Sequence, residues 1–306
     1  MTEKTRETQS AMLLYYKFVF VDNPGIERVK QLEFCKFYKL TGRIIISKNG
    51  INGTISGTKA SVEKYIEFMD KSLCFGGIKF KESLGLGVGK DFQKLSIKVK
   101  RELVSSNSCE MLEFGPHTKN TAKYLSAENL RNWFISGKEF YIIDLRNDFE
   151  FEVGHFKNSI LLPGMENFRN LPEALEDLKH LKSKTILTCC TGGIRCEIGS
   201  GFMEKMGFND VYQLDGGIAG YIEKYPNIDF VGKLFVFDNR KITGFNLNCP
   251  THEIIGKCRI CKQKSENFID YTRGGIRSFG IICNQCIERK LVKLDIKKKS
   301  EMRLFI

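Results

Sequence analysis

Apolar and polar positions alternate through the first third of the chain in a way that predicts short strands separated by two helices. Runs rich in β-branched and aromatic residues predict strands at residues 15–21, 43–47, 78–81 and 95–104. Apolar side chains recur at helical spacing in residues 26–40 and 61–69, the first through Val29, Leu32, Phe34 and Phe37. A short run at Ile55 precedes the second helix, and the runs at 78–81 and 95–104 together close the order β-α-β-β-α-β. This order is typical of a ferredoxin-like, or acylphosphatase-like, α+β sandwich.

A different alternation follows, in which single strands are separated by single helices. Predicted strands at residues 141–145, 185–188 and 211–214 alternate with predicted helices, which cover residues 126–135, 173–181 and 197–206. This α/β order favours a doubly wound parallel sheet, whose functional sites lie beyond the carboxyl ends of the strands. Cys190 comes directly after one such strand end.

Length and charge divide the chain further. Its 306 residues predict two or three domains, and we place them at 1–115, 116–239 and 240–306. These segments carry net charges of +6, −3 and +9, so two basic segments flank a slightly acidic middle. Basic flanks favour contact with a nucleic acid, although lysine-rich surfaces also serve solubility alone. The charged N-terminus and the lack of a long apolar stretch lead us to expect a cytoplasmic protein without membrane contact.

Eleven cysteines, an odd number in a chain long enough to form a core, favour thiol chemistry or metal binding over a disulfide framework. The candidate reactive thiol is Cys190. Its six-residue loop is Cys190, Thr191, Gly192, Gly193, Ile194 and Arg195. The glycines permit backbone N–H groups to turn inward, the next helix directs its positive end to the loop, and the arginine adds a cation. We therefore expect an ionised, nucleophilic thiolate, against the alternative of an inert core cysteine.

Three segments around this loop resemble a rhodanese domain: residues 144–164 (DLRNDFEFEVGHFKNSILLPG), 190–197 (CTGGIRCE) and 212–221 (YQLDGGIAGY). The resemblance implies that Cys190 is the sulfur-carrying nucleophile and that Arg195 closes its loop. A loop of this length suits sulfur, whereas phosphatase relatives use one residue more. Supporting positions implied by the same pattern are Asp144, Arg146 and Glu150, for which fixing the loop by charge pairing is a simpler role than catalysis, and His155, which we expect to be a scaffold residue.

Two further cysteines flank the loop. Strand alternation directs the Cys189 side chain away from Cys190, so we expect it in the core. Cys196 stands where the next helix begins. It is a candidate resolving thiol that would attack an oxidised or persulfidated Cys190, and equally a packed helical residue.

The wider pattern is similar to the rhodanese-related tRNA uridine hydroxylases over nearly the whole chain. It is carried by residues 42–58 (GRIIISKNGINGTISGT), 80–104 and 234–244 (LFVFDNRKITG). The resemblance implies hydroxylation at carbon 5 of the wobble uridine, with molecular oxygen as co-substrate, the tRNA anticodon loop as partner and Cys190 as the essential thiol. Many members have Cys where this chain has Leu234, so no role is transferred to that position. Asn52 lies in a GINGT segment, for which contact with the substrate and a tight turn of the N-terminal fold are the alternatives.

The chain shows no dinucleotide-binding fingerprint and no evident flavin, haem or nicotinamide site, and its four histidines form no obvious pair for an iron site. The runner-up function is a thiosulfate or persulfide sulfurtransferase. A non-catalytic RNA-binding or thiol-sensing module is the third possibility.

The tail contains two C-x-x-C pairs, Cys258 with Cys261 and Cys283 with Cys286, separated by 21 residues. This spacing predicts a zinc-ribbon-like site with structural zinc, and redox-active thiols are the alternative. Cys249 and His252 form a second possible ligand pair. The interval between the pairs is basic and aromatic, and it predicts either an RNA contact or a small hydrophobic core through Phe268, Tyr271, Arg273, Arg277 and Phe279.

Overall fold

A computed structural model describes residues 9–106, 111, 121–245 and 247–295. The described chain divides into two compact units: the first extends to residue 105 and includes residues 237–240, and the second contains the remainder. The expected domain boundary at residue 115 lies outside the described residues. Within the described ranges, no helix is both long enough and apolar enough to span a bilayer.

The N-terminal unit is the predicted α+β sandwich. Its elements are β1 (Ser10–Phe18), α1 (Pro24–Phe37), β2 (Thr41–Ser47), β3 (Gly50–Thr58), α2 (Lys59–Asp70), β4 (Phe80–Leu84) and β5 (Leu95–Val99). The sheet has the strand order β4-β1-β3-β2-β5, in which β5 runs parallel to β2 and the other neighbours are antiparallel. The core lies between this sheet and the two helices, where Leu13, Ile44, Ile55 and Tyr65 are fully or almost fully buried.

Two expectations for this unit are wrong. The GINGT segment is not a turn: it begins β3, a central strand paired on both sides, and Asn52 lies opposite Tyr16 of β1. Gly53 is needed there because an added Cβ would lie 2.4 Å from the Tyr15 ring. In α1, Val29 and Phe37 are exposed rather than buried, and Gln31 faces the core instead. Burial of Gln31 is compensated, since its Oε1 accepts a hydrogen bond of 2.6 Å from Tyr65 Oη.

The second unit contains the predicted parallel sheet. Its first elements are β6 (Lys123–Leu125), α3 (Ala127–Ser136), β7 (Tyr141–Asp144), α4 (Asp148–Val153), β8 (Gly154–Phe156), β9 (Ile160–Leu161), α5 (Leu171–Ala174), β10 (Thr185–Cys189), α6 (Ile194–Lys205), β11 (Asp210–Leu214) and α7 (Gly217–Lys224). All pairings in the order β6-β11-β10-β7-β9 are parallel. Ser126 caps α3 as expected, with its Oγ accepting a hydrogen bond from the Asn129 amide.

Two predicted helices in this unit differ from the observed ones. Residues 173–181 form the single turn of α5 and a following 3₁₀ segment, Glu176–Leu181, rather than one α-helix. The helix predicted from residue 197 begins three residues earlier, at Ile194. Arg195 is therefore part of the first helical turn.

The remaining elements of the second unit follow α7 and include those of the tail. They are β12 (Phe230–Gly232) and β13 (Leu234–Phe235), which precede the tail, and then β14 (Ile242–Thr243), β15 (Phe268–Arg273), β16 (Ile276–Ile281), α8 (Asn284–Glu288) and β17 (Lys293–Leu294). Phe149 of α4 contacts the rings of Phe235, Phe268 and Phe279. The aromatic residues between the cysteine pairs thus form a small core, as one of the two predictions had it, and Tyr271 is buried with the cysteine cluster.

Candidate functional site

The Cys190 loop lies at the carboxyl edge of the parallel sheet. β10 ends at Cys189, directly beside the end of β7 at Asp144, and α6 begins at Ile194. Gly193 takes a left-handed φ of +104°, which allows its amide to donate a hydrogen bond of 3.2 Å to Cys190 Sγ. The amides of Arg195 and Cys196 lie near the same sulfur and help to lower its pKa, while the Cys196 amide donates its hydrogen bond of 3.0 Å to the Gly193 carbonyl. The loop therefore directs backbone N–H groups toward the Cys190 sulfur.

This arrangement favours the anionic form of Cys190. Burial alone would raise the pKa of the thiol, but the Cys196 side chain, the charge of Arg195 and the backbone amides together lower the pKa to about 5. Burial, followed by the neighbouring Cys190 sulfur, raises the pKa of Cys196, which therefore stays protonated. The pair holds one thiolate and one thiol in contact.

Arg195 is shared between the thiolate and a buried carboxylate. Its two terminal nitrogens donate to Glu150, from Nη1 to Oε2 at 2.7 Å and from Nη2 to Oε1 at 2.8 Å. Burial alone would raise the pKa of Glu150, but Arg195 holds it below its ordinary value. Thr191 Oγ1 also donates to Glu150, at 3.3 Å. The cation is thus fixed in place by a paired charge instead of acting alone on the sulfur.

Asp144 and Arg146 form a second buried ion pair behind the loop. Arg146 donates from Nη2 to Asp144 Oδ2 at 2.7 Å and to the Gly154 carbonyl at 2.6 Å, and neither side chain of the pair has exposed surface. These contacts connect the end of β7 to β8. Asp144 and Arg146 therefore hold together the segments around the loop. Among the described residues, neither side chain has a hydrogen bond to Cys190.

The N-terminus of α7 fixes the opposite side of the loop, a feature the sequence analysis missed. Ile218 donates its amide to the Cys190 carbonyl at 2.9 Å, and Ala219 donates to the Thr191 carbonyl at 3.0 Å. Gly217 has a φ of +63°, and a Cβ there would lie 2.7 Å from the Cys190 oxygen. Because α7 binds the carbonyls, the loop's N–H groups remain free to face the sulfur. In the sequence, the Asp-Gly-Gly run after β11 was the feature that could have predicted this helix start.

The sulfur itself has no exposed surface. Cys189, Cys190 and Cys196 are all fully buried, and Cys189 lies in the apolar core as expected. Thr191 and Ile194 are half-buried at the outer side of the loop. Because the sulfur is fully buried, a substrate atom reaches Cys190 only after the residues around it move.

His155 is a scaffold residue, in line with the prediction. Its ring stacks on that of Phe151 at a centroid distance of 3.9 Å, and its Nδ1 lies 2.9 Å from the Phe151 carbonyl oxygen. Burial is the main cause that lowers its pKa.

The four tail cysteines form one cluster. The sulfurs of Cys258, Cys261, Cys283 and Cys286 all lie within 4.8 Å of one another. Four thiol sulfurs at this separation match the tetrahedral donor set of structural zinc.

The alternative ligand pair in the tail is not part of this cluster. Cys249 Sγ lies 3.1 Å from Thr251 Oγ1, and His252 Nε2 lies 2.7 Å from Glu266 Oε1. Among the described residues, the clustered metal donors do not include Cys249 or His252, so the structure does not support the alternative ligand pair.

Family models cover most of the chain. Residues 10–103 match the UPF0176 acylphosphatase-like domain, residues 126–224 the rhodanese-like domain, and residues 231–294 the rhodanase C-terminal domain.

Curated relatives extend this similarity to nearly full length. A Cytophaga hutchinsonii protein named tRNA uridine(34) hydroxylase is 37% identical over 278 residues, or 91% of this chain and 86% of the relative. Proteins of the same name from Aster yellows witches'-broom phytoplasma and Bacillus cereus are also 37% identical, over 94% and 92% of this chain and 91% and 86% of their own lengths.

Proposed function

Because the chain belongs to the tRNA uridine(34) hydroxylase family, we propose that it hydroxylates the wobble uridine of tRNA at its rhodanese-type site. The observation that carries this proposal is the Cys190 sulfur at the edge of the parallel sheet, where the Gly193 amide, the Arg195 charge and the Cys196 thiol surround it and its pKa is lowered to about 5. An anionic sulfur is a nucleophile that can activate a pyrimidine ring by adding to it.

The proposed chemistry begins at carbon 6 of the uridine. The Cys190 thiolate adds there, and the electron pair of the 5,6 double bond moves onto carbon 5 and the conjugated carbonyl at carbon 4. Carbon 5 thereby becomes nucleophilic and bonds to molecular oxygen, which gives a hydroperoxide on carbon 5. Loss of the carbon 5 proton and departure of Cys190 from carbon 6 restore the 5,6 double bond. A thiol reductant then supplies two electrons that break the O–O bond, so the hydroxyl of 5-hydroxyuridine stays on carbon 5 and the second oxygen atom leaves as water.

Arg195 and the loop amides have defined roles in this proposal. They stabilise the sulfur anion before addition and again when it leaves, and the Glu150 pair keeps the guanidinium from turning away. Because Cys190 is buried, the outer part of the loop must move to admit the base. A base can enter only when it is unstacked, and the bases of an anticodon loop meet this requirement.

The substrate, the compartment and the metal follow from the same proposal. The basic N-terminal and C-terminal segments, with net charges of +6 and +9, supply phosphate contacts for a cytoplasmic tRNA. The four tail cysteines would hold zinc, which would order a tail with a small core of its own.

The test is nucleoside mass spectrometry of tRNA from cells lacking the gene, complemented with wild type or Cys190→Ser. The proposal predicts that 5-hydroxyuridine derivatives disappear in the deletion, return with wild type and stay absent with the variant. Loss of thiolated nucleosides instead, together with thiocyanate formation from thiosulfate and cyanide, would indicate a sulfurtransferase. Full complementation by Cys190→Ser would indicate a non-catalytic module.

A further inference from the structure

Hydroxylation of a carbon by molecular oxygen requires two electrons. One oxygen atom enters the product and the other is reduced to water, so the substrate alone does not balance the reaction. Enzymes usually obtain these electrons from a flavin, a metal or a nicotinamide. The described residues around Cys190 offer a different source, a second thiol in contact with the first.

The two thiols form a close, buried pair. Cys190 begins the loop and Cys196 lies in the first turn of α6 directly after it, the Cys196 side chain is hydrogen-bonded to the Cys190 sulfur, and neither residue has exposed surface. The Thr188 side chain lies within hydrogen-bonding distance of the Cys196 sulfur. A thiolate beside a protonated thiol is the usual arrangement of a two-electron dithiol reductant.

We propose that Cys190 and Cys196 supply the two electrons of the hydroxylation and close as a disulfide, an inference that rests on the proposed function. The balance is uridine plus oxygen plus two thiols, giving 5-hydroxyuridine, water and one disulfide. The carbon 5 hydrogen is replaced by a hydroxyl that contains one oxygen atom. After Cys190 has left carbon 6, its sulfur attacks the outer oxygen of the carbon 5 hydroperoxide, which breaks the O–O bond and forms a sulfenic acid on Cys190. The Cys196 sulfur then displaces the sulfenic hydroxyl as water and closes the disulfide, so each sulfur loses one electron. A further turnover needs an external dithiol to reduce the disulfide.

Cys196 is the suitable partner, and Cys189 is not. Adjacent Cα atoms are about 3.8 Å apart, below the roughly 4.4–6.8 Å that disulfides span, so a bond between neighbours would be strained. Cys189 also belongs to the apolar core of the sheet. Cys196 lies on the first turn of α6 with its sulfur already directed at Cys190.

The experiment is a single turnover without external reductant. Full-length protein is reduced, freed of reductant without oxygen, mixed with unmodified tRNA and then exposed to oxygen. The inference predicts close to one 5-hydroxyuridine per chain and an equal amount of the Cys190–Cys196 disulfide. Trypsin cleaves after Lys184 and Arg195, so the disulfide joins two peptides, residues 185–195 and 196–205. Protein exposed to oxygen without tRNA gives the background.

Cys196→Ser is the informative variant because a serine hydroxyl still donates to the Cys190 sulfur but cannot displace the sulfenic hydroxyl. It is expected to form close to one equivalent of product in the single turnover, with a sulfenic acid on Cys190 in place of the disulfide, and to continue only when excess dithiothreitol is added. Cys189→Ala is the matched control: it should behave as wild type and should assign the crosslink to Cys190.

Three outcomes separate the inference from the function on which it rests. A full equivalent of product from Cys196→Ser with Cys190 left as a free thiol would overturn the inference and leave the hydroxylation standing. Formation of 5-hydroxyuridine by wild type without the Cys190–Cys196 disulfide would also overturn the inference and leave the hydroxylation standing. The absence of 5-hydroxyuridine from wild type even with oxygen and excess dithiothreitol would overturn the proposed function itself.

Discussion

The charge on Cys190 results from several modest contacts that together outweigh a large burial penalty. Complete burial disfavours a thiolate, yet the Cys196 thiol, the Arg195 charge and the loop amides reverse that effect. Arg195 alone would not suffice, since its charge is shared with Glu150. The amides matter because they are fixed by the backbone and cannot turn away from the sulfur.

Alkylation of Cys190 is expected to depend on pH with an inflection near 5. The folded-state pKa is lowered to about 5, so the thiolate dominates at neutral pH and reactivity falls as pH drops through that value. The measurement is the alkylation rate of residues 185–195, followed by peptide mass spectrometry between pH 4 and 9, with Cys189→Ala to remove the neighbouring thiol. An inflection near the free-thiol value of about 8.5 would contradict this account.

Replacing Arg195 with leucine or lysine should show how much of its effect comes from its charge and how much from its two-pronged contact with Glu150. Arg195→Leu leaves the Glu150 carboxylate buried and unpaired, which costs about 3–5 kcal/mol in the free energy of unfolding and raises the pKa of Cys190. Arg195→Lys keeps the charge but loses the two-pronged contact, so both effects should be smaller. Urea denaturation and the pH profile of alkylation measure them. Equal stability of the leucine variant and wild type would show that the ion pair contributes nothing.

Sequence reasoning identified the loop residues because their spacing is local, and the family resemblance added Glu150 as a charge that fixes the loop, but neither showed which loop residue Glu150 pairs with. Arg195 bonds to Glu150, 45 residues away, and only the packing of α4 against the loop brings them together. The burial of Cys190 could not be predicted either, because it depends on the folded conformation of the whole loop around the Cys190 sulfur.

The helix N-terminus of α7 determines which way the loop faces. Its first amides occupy the carbonyls of Cys190 and Thr191, so the N–H groups on the other side of the loop remain available to the sulfur. The loop is thus held between two helix N-termini, that of α6 at the sulfur and that of α7 at the carbonyls.

Gly217→Ala should reduce hydroxylation by more than the strain of placing alanine at a positive φ explains. A Cβ at Gly217 would lie 2.7 Å from the Cys190 carbonyl oxygen and displace the loop. Gly137→Ala is the matched control, because Gly137 has a similar φ of +68° and nothing within 4 Å of an added Cβ. Both variants should lose about 1–2 kcal/mol of stability, whereas only Gly217→Ala should raise the pKa of Cys190 and abolish hydroxylation. Equal activity of the two variants would contradict the proposed role of α7.

The order of strands and helices along the chain was predictable because both sheets follow a regular alternation of elements. Each expectation that was wrong has a local cause. The GINGT segment has the composition of a turn, but Gly53 is there to accommodate the Tyr15 ring within a strand. Gln31 occupies an apolar face of α1 because Tyr65 satisfies its amide oxygen. Pairwise contacts between distant segments override composition at both places.

The short helix α4 contacts both the Cys190 loop and the tail. It contributes Glu150 to the Arg195 pair and Phe149 to the aromatic cluster with the tail. Arg259, within the first cysteine knuckle, donates to Glu152 of the same helix at 3.2 Å. Order in the tail therefore supports the position of Glu150.

Purified protein is expected to contain one zinc ion per chain, held by the four tail cysteines. Its removal with a strong chelator should unfold the tail, because zinc binding contributes roughly 10–16 kcal/mol in small domains of this kind. Cys261→Ser should lose the metal, while Cys249→Ser, outside the cluster, should keep it. Metal analysis and thermal unfolding provide the measurements. A metal-free protein with an ordered tail would contradict the zinc assignment.

The central claim, that Cys190 activates a tRNA uridine for oxygenation, is tested most directly by a reconstituted reaction under ¹⁸O-labelled oxygen gas. Reduced protein, unmodified tRNA and excess dithiothreitol are combined. The nucleoside at position 34 is then isolated, and its mass is measured by mass spectrometry. The account predicts one labelled oxygen at carbon 5 with wild type and none with Cys190→Ser. Label incorporation by Cys190→Ser at the wild-type level would contradict it.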